Sequence, residues 1–411
     1  MALTGRAEGP PLAPPPGLVA RLEELARRVR RQAAFLGTPL AVRWEPIVLG
    51  RAAVLGLHRR GQVSPNGTCR LLRARDGWVA VNLARPDDVA AVDAITGGPS
   101  GADAWSALAQ AAAASSSAEL VGRARLLGVP AACLGERPAG VEPPWCAFER
   151  HRLWPPTDVR RRGEVQVVDL SSMWAGPLVA KLLADTGAVV TKVESTTRPD
   201  GTRATPAFYR MLHPAEQVER RIDFGSERGR QELRDLLAQA DVVIESARPR
   251  ALAQLGASPH DLPPRRGRVW VSITGHGRGV PAGNWVAFGD DAAVAGGLVA
   301  WEDQDLPLFC GDAIADPATG MVGALAALQA MAEGGGVLLD VALARVAAAL
   351  APVSQEQERP AMAAQRAGDG SWRLPVHGVL VPVRVPGAGV CEVHRGHRHA
   401  ADGPSEPWDL A

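Results

Sequence analysis

VQVVDLSSMWAGPLVAKLLADTGAVVTKVE, residues 165–194, reads as strand, loop, helix and strand. Val165, Val167 and Val168 lead into Asp169, and a loop of small residues closes on Ala175, Gly176 and Pro177. Proline suits the first turn of a helix, where its missing N–H leaves no bond unmade. Leu178, Lys181, Leu182 and Leu183 carry the helix and Gly187 ends it. Residues 188–193 are then a short apolar, β-branched run of the kind buried in a parallel sheet. A unit this compact makes a right-handed crossover and leaves its first loop at the carboxyl edge of the sheet, where such sheets bind ligands.

The pattern repeats towards the C-terminus. Ser226 is a plausible N-cap for a helix over 226–239, DVVIES (241–246) reads as a strand, ARPRALAQLG (247–256) follows, and RVWVSITG (268–275) is the next strand. Alternation of this kind predicts an α/β fold with a large, doubly wound parallel sheet, Rossmann-like. A small-residue helix over 317–331, a strand over 337–341 and an Ala-rich helix to Leu350 complete it. Towards the N-terminus the character changes. Residues 18–35 form an amphipathic helix with Leu18, Leu22, Leu25, Ala26 and Val29 on one stripe, whereas 38–60 alternate loosely and stay ambiguous. Strands at 68–73 and 78–83 flank an Asp76-Gly77 turn, a strong hairpin signal. Helices at 86–95, 102–115 and 117–127 and a strand at 129–133 follow. The expected organisation is a disordered lead (1–16), a small α+β domain (17–150), a Pro-rich linker (151–162), the large domain (163–355) and an irregular return segment (356–411).

Composition limits the function. The chain has 411 residues, 46 % hydrophobic, 22 % charged, with net charge +1, values of an ordinary soluble protein with room for two or three domains. Only Lys181 and Lys192 are lysines, so positive charge is nearly all Arg, and with abundant Ala, Gly and Pro this reads as coding bias in a GC-rich genome. No basic stripe with interleaved aromatics points to nucleic acid. Cys69, Cys133, Cys146, Cys310 and Cys391 are scattered with no CxxC pair, which fits a reducing cytoplasm and disfavours a disulfide framework or a zinc site. No apolar run reaches the roughly 18 residues of a membrane span, and residues 1–16 lack the apolar core of a signal peptide.

Asp316 stands in an apolar setting just before Pro317 and a helix. It reads either as an N-cap or as a nucleophilic carboxylate at a helix N-terminus, where the dipole favours the anion, with Asp312 the rival. The loop Ser171–Gly176 reads either as a plain connection or as a nucleotide or pantetheine contact. Glu194 lies 18 residues past Gly176, near the spacing of a ribose-binding acid, but the loop lacks GxGxxG, so a nicotinamide cofactor is weakly supported. Gly61–Cys69 is at least a hairpin lead-in. His394, His397 and His399 lie in a polar tail that reads as solvated rather than as a metal site, and His276 reads as a loop residue. There is no GxSxG, HExxH or P-loop.

VVDLSSMWAGPLVAKLLADTGAVVTKVES, DVVIESARPRALAQLG, VSITGHG, GDAIADPATGMVGALAALQAM and GGGVLLDVALARV, in this order over 165–350, resemble the class III CoA-transferase family (CaiB/BaiF type). That group also includes α-methylacyl-CoA racemases. The resemblance implies a transferase of sulfur-containing groups that moves CoA from an acyl-CoA to a carboxylic acid through an aspartyl-CoA thioester. It puts the catalytic aspartate on Asp316 and CoA contacts on Met173, Trp174, Ala175, Ser246, Arg248 and Thr274. Glu194 and a phosphate-reaching Arg198 or Arg203 join them, and Asn66 and Gly67 fall on the family's active-site glycine loop. No metal and no tightly bound cofactor are implied. CoA and acyl-CoA are substrates, a homodimer in the cytoplasm is expected, and neither nucleic acid nor membrane is a partner.

The chain departs from the family pattern in three ways. Ser246 replaces an Asn, Ser195 replaces a basic residue, and the small domain comes first in the chain, which implies a circular permutation. Two alternatives stand. A racemase on the same fold would need a His in VAFGDDAAVAGG (286–297), which has none. A catalytically silent CoA-binding protein is the other.

Overall fold

A computed structural model describes residues 3–383 apart from 100, 102, 140, 141, 159–163, 215, 304, 353–359, 377 and 378. The chain opens with α1 (Leu18–Phe35) and α2 (Trp44–Leu55), then the hairpin β1 (Cys69–Arg73) and β2 (Trp78–Asn82). The helices α3 (Pro86–Ala90), α4 (Val92–Thr96), α5 (Ala104–Ala114) and α6 (Ser117–Leu126) lead to β3 (Ala131–Cys133). β4 (Glu149–Arg152), β5 (Gln166–Asp169), α7 (Ala175–Asp185), β6 (Val189–Ser195), α8 (Pro206–Leu212) and β7 (Val218–Ile222) follow. Next are α9 (Glu227–Gln239), β8 (Val242–Glu245), α10 (Pro249–Gln254), β9 (Val269–Thr274) and α11 (Gly289–Ala295). The small hairpin β10 (Val299–Trp301) and β11 (Pro307–Phe309) precedes α12 (Ala315–Ala332), β12 (Val337–Ala342) and α13 (Leu343–Leu350). A meander of β13 (Gln365–Arg366), β14 (Trp372–Val376) and β15 (Val379–Pro382) ends the described chain.

Seven strands form the main sheet in the order β4-β12-β9-β8-β5-β6-β7. All neighbours are parallel except β4, which pairs antiparallel with β12. Every residue of β8, β9 and β12 is buried, as expected where helices cover both faces of a parallel sheet. One face packs on α1, α2, α7, α12 and α13 and the other on α9 and α10. Gly320 and Gly323 let α12 close on α7: a Cβ at Gly320 would stand 2.6 Å from Leu178 Cδ2, and one at Gly323 2.8 Å from Val179 Cγ2. The three-stranded sheet β1-β2-β3 is sandwiched. One face holds α4–α6, and the other packs Cys69, Leu71 and Ala80 on Val294, Val299 and Phe309 of the large unit.

Packing divides the chain differently from the expected boundaries. Residues 3–16 are not a disordered lead: Leu3 and Leu12 are buried, the N–H of Gly61 donates to the Gly5 carbonyl, and Leu12 bridges to Ala363. Within 17–150, α1 and α2 belong to the core of the large unit. Leu18, Leu22, Leu25 and Val29 are wholly buried there, and each such side chain stabilises by about 1.5–3 kcal/mol. The first residues of the expected linker, 151 and 152, are part of the sheet. β4 pairs with β12, and Trp154 is buried beside Trp270 and Leu338. Its charged sequence, ERHR, suits an edge strand. In 356–411 the described residues include the β13–β15 meander, while His394, His397, His399 and Cys391 lie outside the described residues.

Candidate functional site

From β5 the chain builds outward through β6 and β7, then returns to the other side of β5 as β8. The loops after β5 and β8 therefore face each other across the point where the winding reverses, the usual crevice for ligands. The Ser172 N–H donates to Ser246 Oγ across it at 3.2 Å. Beneath the first loop lies Lys192, wholly buried. Its Nζ is 3.2 Å from Asp169 Oδ2 and 3.3 Å from Asp200 Oδ2, and it donates to the Ser171 carbonyl. Burial alone would raise the Asp200 carboxyl, but Lys192 and the Thr202 and Met173 N–H groups together hold it below its ordinary value. Asp200 in turn accepts the Met173 N–H at 3.2 Å. This buried network clamps Met173 at φ 74°, a left-handed conformation that costs a non-glycine residue about 1–3 kcal/mol. Trp174 is buried edge-on against Phe208, with ring centroids 5.1 Å apart, and Ala175 opens α7. Met173 itself stays exposed.

The starts of α7 and α12 lie together, since a Cβ at Gly320 would also meet the Ala175 carbonyl at 2.9 Å. Asp316 sits in the first turn of α12, whose N-cap is Ile314, so the aspartate is not the cap. Four carboxylates gather here. Asp290 and Asp291 open α11 and Asp312 precedes α12, all three buried, whereas Asp316 is part-exposed. The Gly289 N–H donates to Asp316 Oδ2 at 3.1 Å. Only glycine fits there, because a Cβ would stand 2.6 Å from that oxygen and press on the Ala313 carbonyl. The Ala313 N–H donates to Asp290 Oδ1 at 2.9 Å, with Ala313 at φ 43°. Asn82 Nδ2, at the end of β2, donates to Asp291 Oδ1 at 3.0 Å. Arg51 Nη1, from α2, lies 3.4 Å from Asp312 Oδ1, and its guanidinium is 5.4 Å from the Trp174 ring centre.

Burial pushes all four carboxyls up. Asp290 reaches about 8, with Asp312 adding to the rise. Asp291 reaches about 7 against the hydrogen bonds from Asn82 and Phe288 N–H. Asp316 reaches about 7, pushed up by burial and by Asp312 and held down by Arg51 and the Gly289 N–H. Asp312 is raised by burial and opposed by Arg51. Perturbed carboxyls in a cleft are a mark of functional sites.

The other residues expected at the site divide. Arg248 is pushed below its ordinary value by burial and then by Arg250, Arg198 and Arg85. Arg198, Arg248 and Arg250 therefore lie near one another by the Ser246 loop, whereas Arg85, from the small unit, is already paired with Asp88. Arg203 is a correction: its guanidinium grips both oxygens of Glu194 at 3.0 Å and reaches Glu219 at 3.0 Å. Glu194 and Arg203 thus neutralise each other, and neither is free for a ribose or a phosphate. The Thr274 hydroxyl donates to Asp340 at 3.2 Å and accepts the Gly277 N–H, so it shapes the next loop rather than facing a ligand. Asn66 Oδ1 accepts the Thr68 N–H at 3.1 Å and closes its own turn, with Gly67 at φ 86°. That turn leads into Cys69, whose thiol is raised by burial and by the charges of Asp291 and Asp290, so the loop borders the acid cluster. Sequence reasoning missed Arg51 and Asn82. The single basic residue in the largely apolar helix WEPIVLGRAAVL is the signal that marks Arg51. Asp290 and Asp291 show in the sequence only as a stretch without histidine.

The model of CoA-transferase family III matches residues 163–380, more than half of the chain. The chain belongs to this family. It is 31 % identical over 201 residues to an acyl-CoA transferase of Fusarium pseudograminearum, covering 44 % of each chain. To the succinate–glutarate CoA-transferase of Agrobacterium fabrum it is 31 % identical, over 45 % of this chain and 52 % of the relative. To the formyl-CoA:oxalate CoA-transferase of Streptomyces avermitilis it is 31 % identical, over 44 % and 47 %. A solved CaiB/BaiF family protein from Brucella suis superposes with TM-score 0.46 at 26 % identity, over 54 % of this chain and 66 % of that one. The chain thus spans about half the length of the curated relatives it matches. The family match begins at residue 163, so it takes in the switch-point loops and Asp316 but not Arg51, Asn82 or Arg85. Among the described residues no group of three or more His, Cys, Asp or Glu is placed to hold a metal ion, and no helix is long and apolar enough to cross a membrane.

Proposed function

We propose that the protein transfers CoA from an acyl-CoA to a carboxylic acid, with Asp316 as nucleophile. One observation carries this reading: of the four clustered aspartates, Asp316 is the one residue that is part-exposed rather than buried. Its carboxylate attacks the thioester carbonyl and expels CoA thiolate, forming a mixed anhydride. The thiolate attacks the aspartyl carbonyl, releasing the donor acid and leaving an aspartyl-CoA thioester. The acceptor carboxylate repeats both steps in reverse order, which restores Asp316 and yields the new acyl-CoA. Covalent capture conserves the thioester's free energy. The Gly289 N–H, already 3.1 Å from Oδ2, is placed to hold the oxyanion of each tetrahedral species. Arg198, Arg248 and Arg250 are suited to the phosphates of CoA, and the Met173–Ala175 loop to its pantetheine arm.

Racemisation is the weaker reading, since Asp290 and Asp291 occupy the stretch where that chemistry would need a histidine base. The order of the units, with the small sheet ahead of the large one, supports a circular permutation. The test is to incubate the protein with an acyl-CoA library and seek an aspartyl-CoA adduct by mass spectrometry. The adduct is expected on Asp316. Asp316→Ala should abolish CoA exchange, whereas Asp312→Ala should only weaken it. Full activity in Asp316→Ala would remove the assignment.

A further inference from the structure

Of the 45 lysines and arginines in the chain, only Lys181 and Lys192 are lysines. Lys181 pairs with Asp185 one turn further along α7. Lys192 is wholly buried and stands beside Asp169 across the β5–β6 pair. Three oxygens converge on its ammonium: Asp169 Oδ2 at 3.2 Å, Asp200 Oδ2 at 3.3 Å and the Ser171 carbonyl. An ammonium carries three N–H donors on one atom and can meet three oxygens drawn to a point, whereas a guanidinium spreads its donors over a flat fork. In a chain that uses arginine almost everywhere else, this is a position that arginine cannot fill in the same way.

The three oxygens belong to two loops. Asp169 and Ser171 stand where β5 ends, and Asp169 Oδ1 also accepts the Ser171 N–H at 2.8 Å. Asp200 stands in the loop that follows β6. Its Oδ1 closes its own turn, accepting the Thr202 N–H at 2.9 Å and the Thr202 hydroxyl at 2.7 Å, and also takes the Met173 N–H at 3.2 Å from the other loop. Met173 adds a second tie, since a Cβ at Gly201 would stand 3.0 Å from its Sδ. Met173 is 41 % exposed, so burial of its own side chain does not fix it, yet its backbone is held at φ 74°. A left-handed methionine persists only where its surroundings impose it. Lys192 imposes it from below. Two buried carboxylates within 3.3 Å of one nitrogen stay together only with a cation between them, and of the charges acting on Asp200 that of Lys192 does most to keep it ionised.

We propose that Lys192 is a positioning residue for CoA: by drawing Asp169, Ser171 and Asp200 to one point, it holds the exposed Met173–Ala175 loop in the shape that takes the pantetheine arm. The inference deepens the transferase reading and rests on it for the place of that arm.

Calorimetric titration of the full chain with CoA, beside exchange kinetics, tests it. Lys192→Arg keeps the charge and loses the convergence of donors. It should weaken CoA binding about ten-fold or more, the order by which a strained left-handed residue is under-populated once released. KM for the acyl-CoA should rise in step while KM for the acceptor acid stays within about two-fold. A lysine serving only as a buried counter-charge would give no such split. Met173→Gly supplies the decisive comparison, because glycine takes φ 74° without strain. In that background Lys192→Arg should weaken CoA binding only about three-fold or less, a non-additivity that reports the coupling. Asp200→Asn keeps an acceptor for the Met173 N–H but ends the charge pair with Lys192. It should show the same loss and the same relief by Met173→Gly, and it decides the matter if Lys192→Arg does not fold. Unchanged CoA affinity in a folded variant, or an equal loss with and without Met173→Gly, would overturn the proposal and leave Asp316 as nucleophile untouched. A wild-type chain that binds no CoA would instead remove this proposal and the transferase reading together.

Discussion

A carboxylate can act as a nucleophile only when it is both ionised and reachable. Asp290, Asp291 and Asp312 are buried, so among the four clustered acids only Asp316 meets the second condition. Its value near 7 sets the first. CoA exchange should rise with pH through an acid limb near 7 as Asp316 loses its proton, and a pH profile of kcat/KM reads it. Asp312→Asn removes a neighbouring negative charge and should move the limb down. Arg51→Gln removes the main opposing positive charge and should move it up. A limb that stays in place in both variants would assign it to another group. The local sequence ADP allowed an N-cap as readily as a nucleophile. The N-cap is instead Ile314, and the carboxylate that an N-cap would spend on its own helix is left for the Gly289 N–H.

At the scale of elements, the site is where two helices begin side by side. The stretch at 165–194 and the small-residue pattern of α12 were both legible, because period and composition are local properties. α2 was not legible. Apart from Glu45 and Arg51 it is apolar, so it shows neither the stripe of a surface helix nor the alternation of a strand. The glycines explain how close the elements come. Gly289→Ala would press a methyl on Asp316 Oδ2 and the Ala313 carbonyl, neither of which can move without shifting the start of α12. Overpacking of this kind costs about 1–3 kcal/mol, and exchange activity should fall further than thermal stability accounts for. Gly320→Ala, wedged against Leu178 and the Ala175 carbonyl, should destabilise by a similar amount in urea denaturation, about 1–3 kcal/mol. Leu25→Ala should cost about 2–5 kcal/mol. It should do so in the unfolding of the large unit, because α1 packs there and not on the hairpin.

The acid cluster belongs to the whole molecule, since α2, β2, α11 and α12 each contribute to it. Its carboxyls have folded values raised to about 8, 7 and 7 for Asp290, Asp291 and Asp316. The folded state therefore binds more protons than the unfolded one between the ordinary Asp value, roughly 4, and about 8. Their contribution to stability is full below that window and is lost as pH rises through it. Asp290→Asn, which keeps an acceptor for the Ala313 N–H, should gain on the wild type as pH rises from about 5 to 8.5, by at least the ~1.4 kcal/mol of one pKa unit. Denaturant titrations at both pH values check this, and a constant difference would mean that Asp290 is already ionised in the folded protein. By itself the sequence determined the parallel sheet, the switch-point loop, the hairpin unit and the family resemblance, because each rests on patterns within a few dozen residues. Only the tertiary structure decided that Arg51 and Asn82 meet Asp312 and Asp291 and that Arg203 is spent on Glu194. Burial and charge pairing between residues hundreds of positions apart are properties of packing, and no local window of sequence contains them.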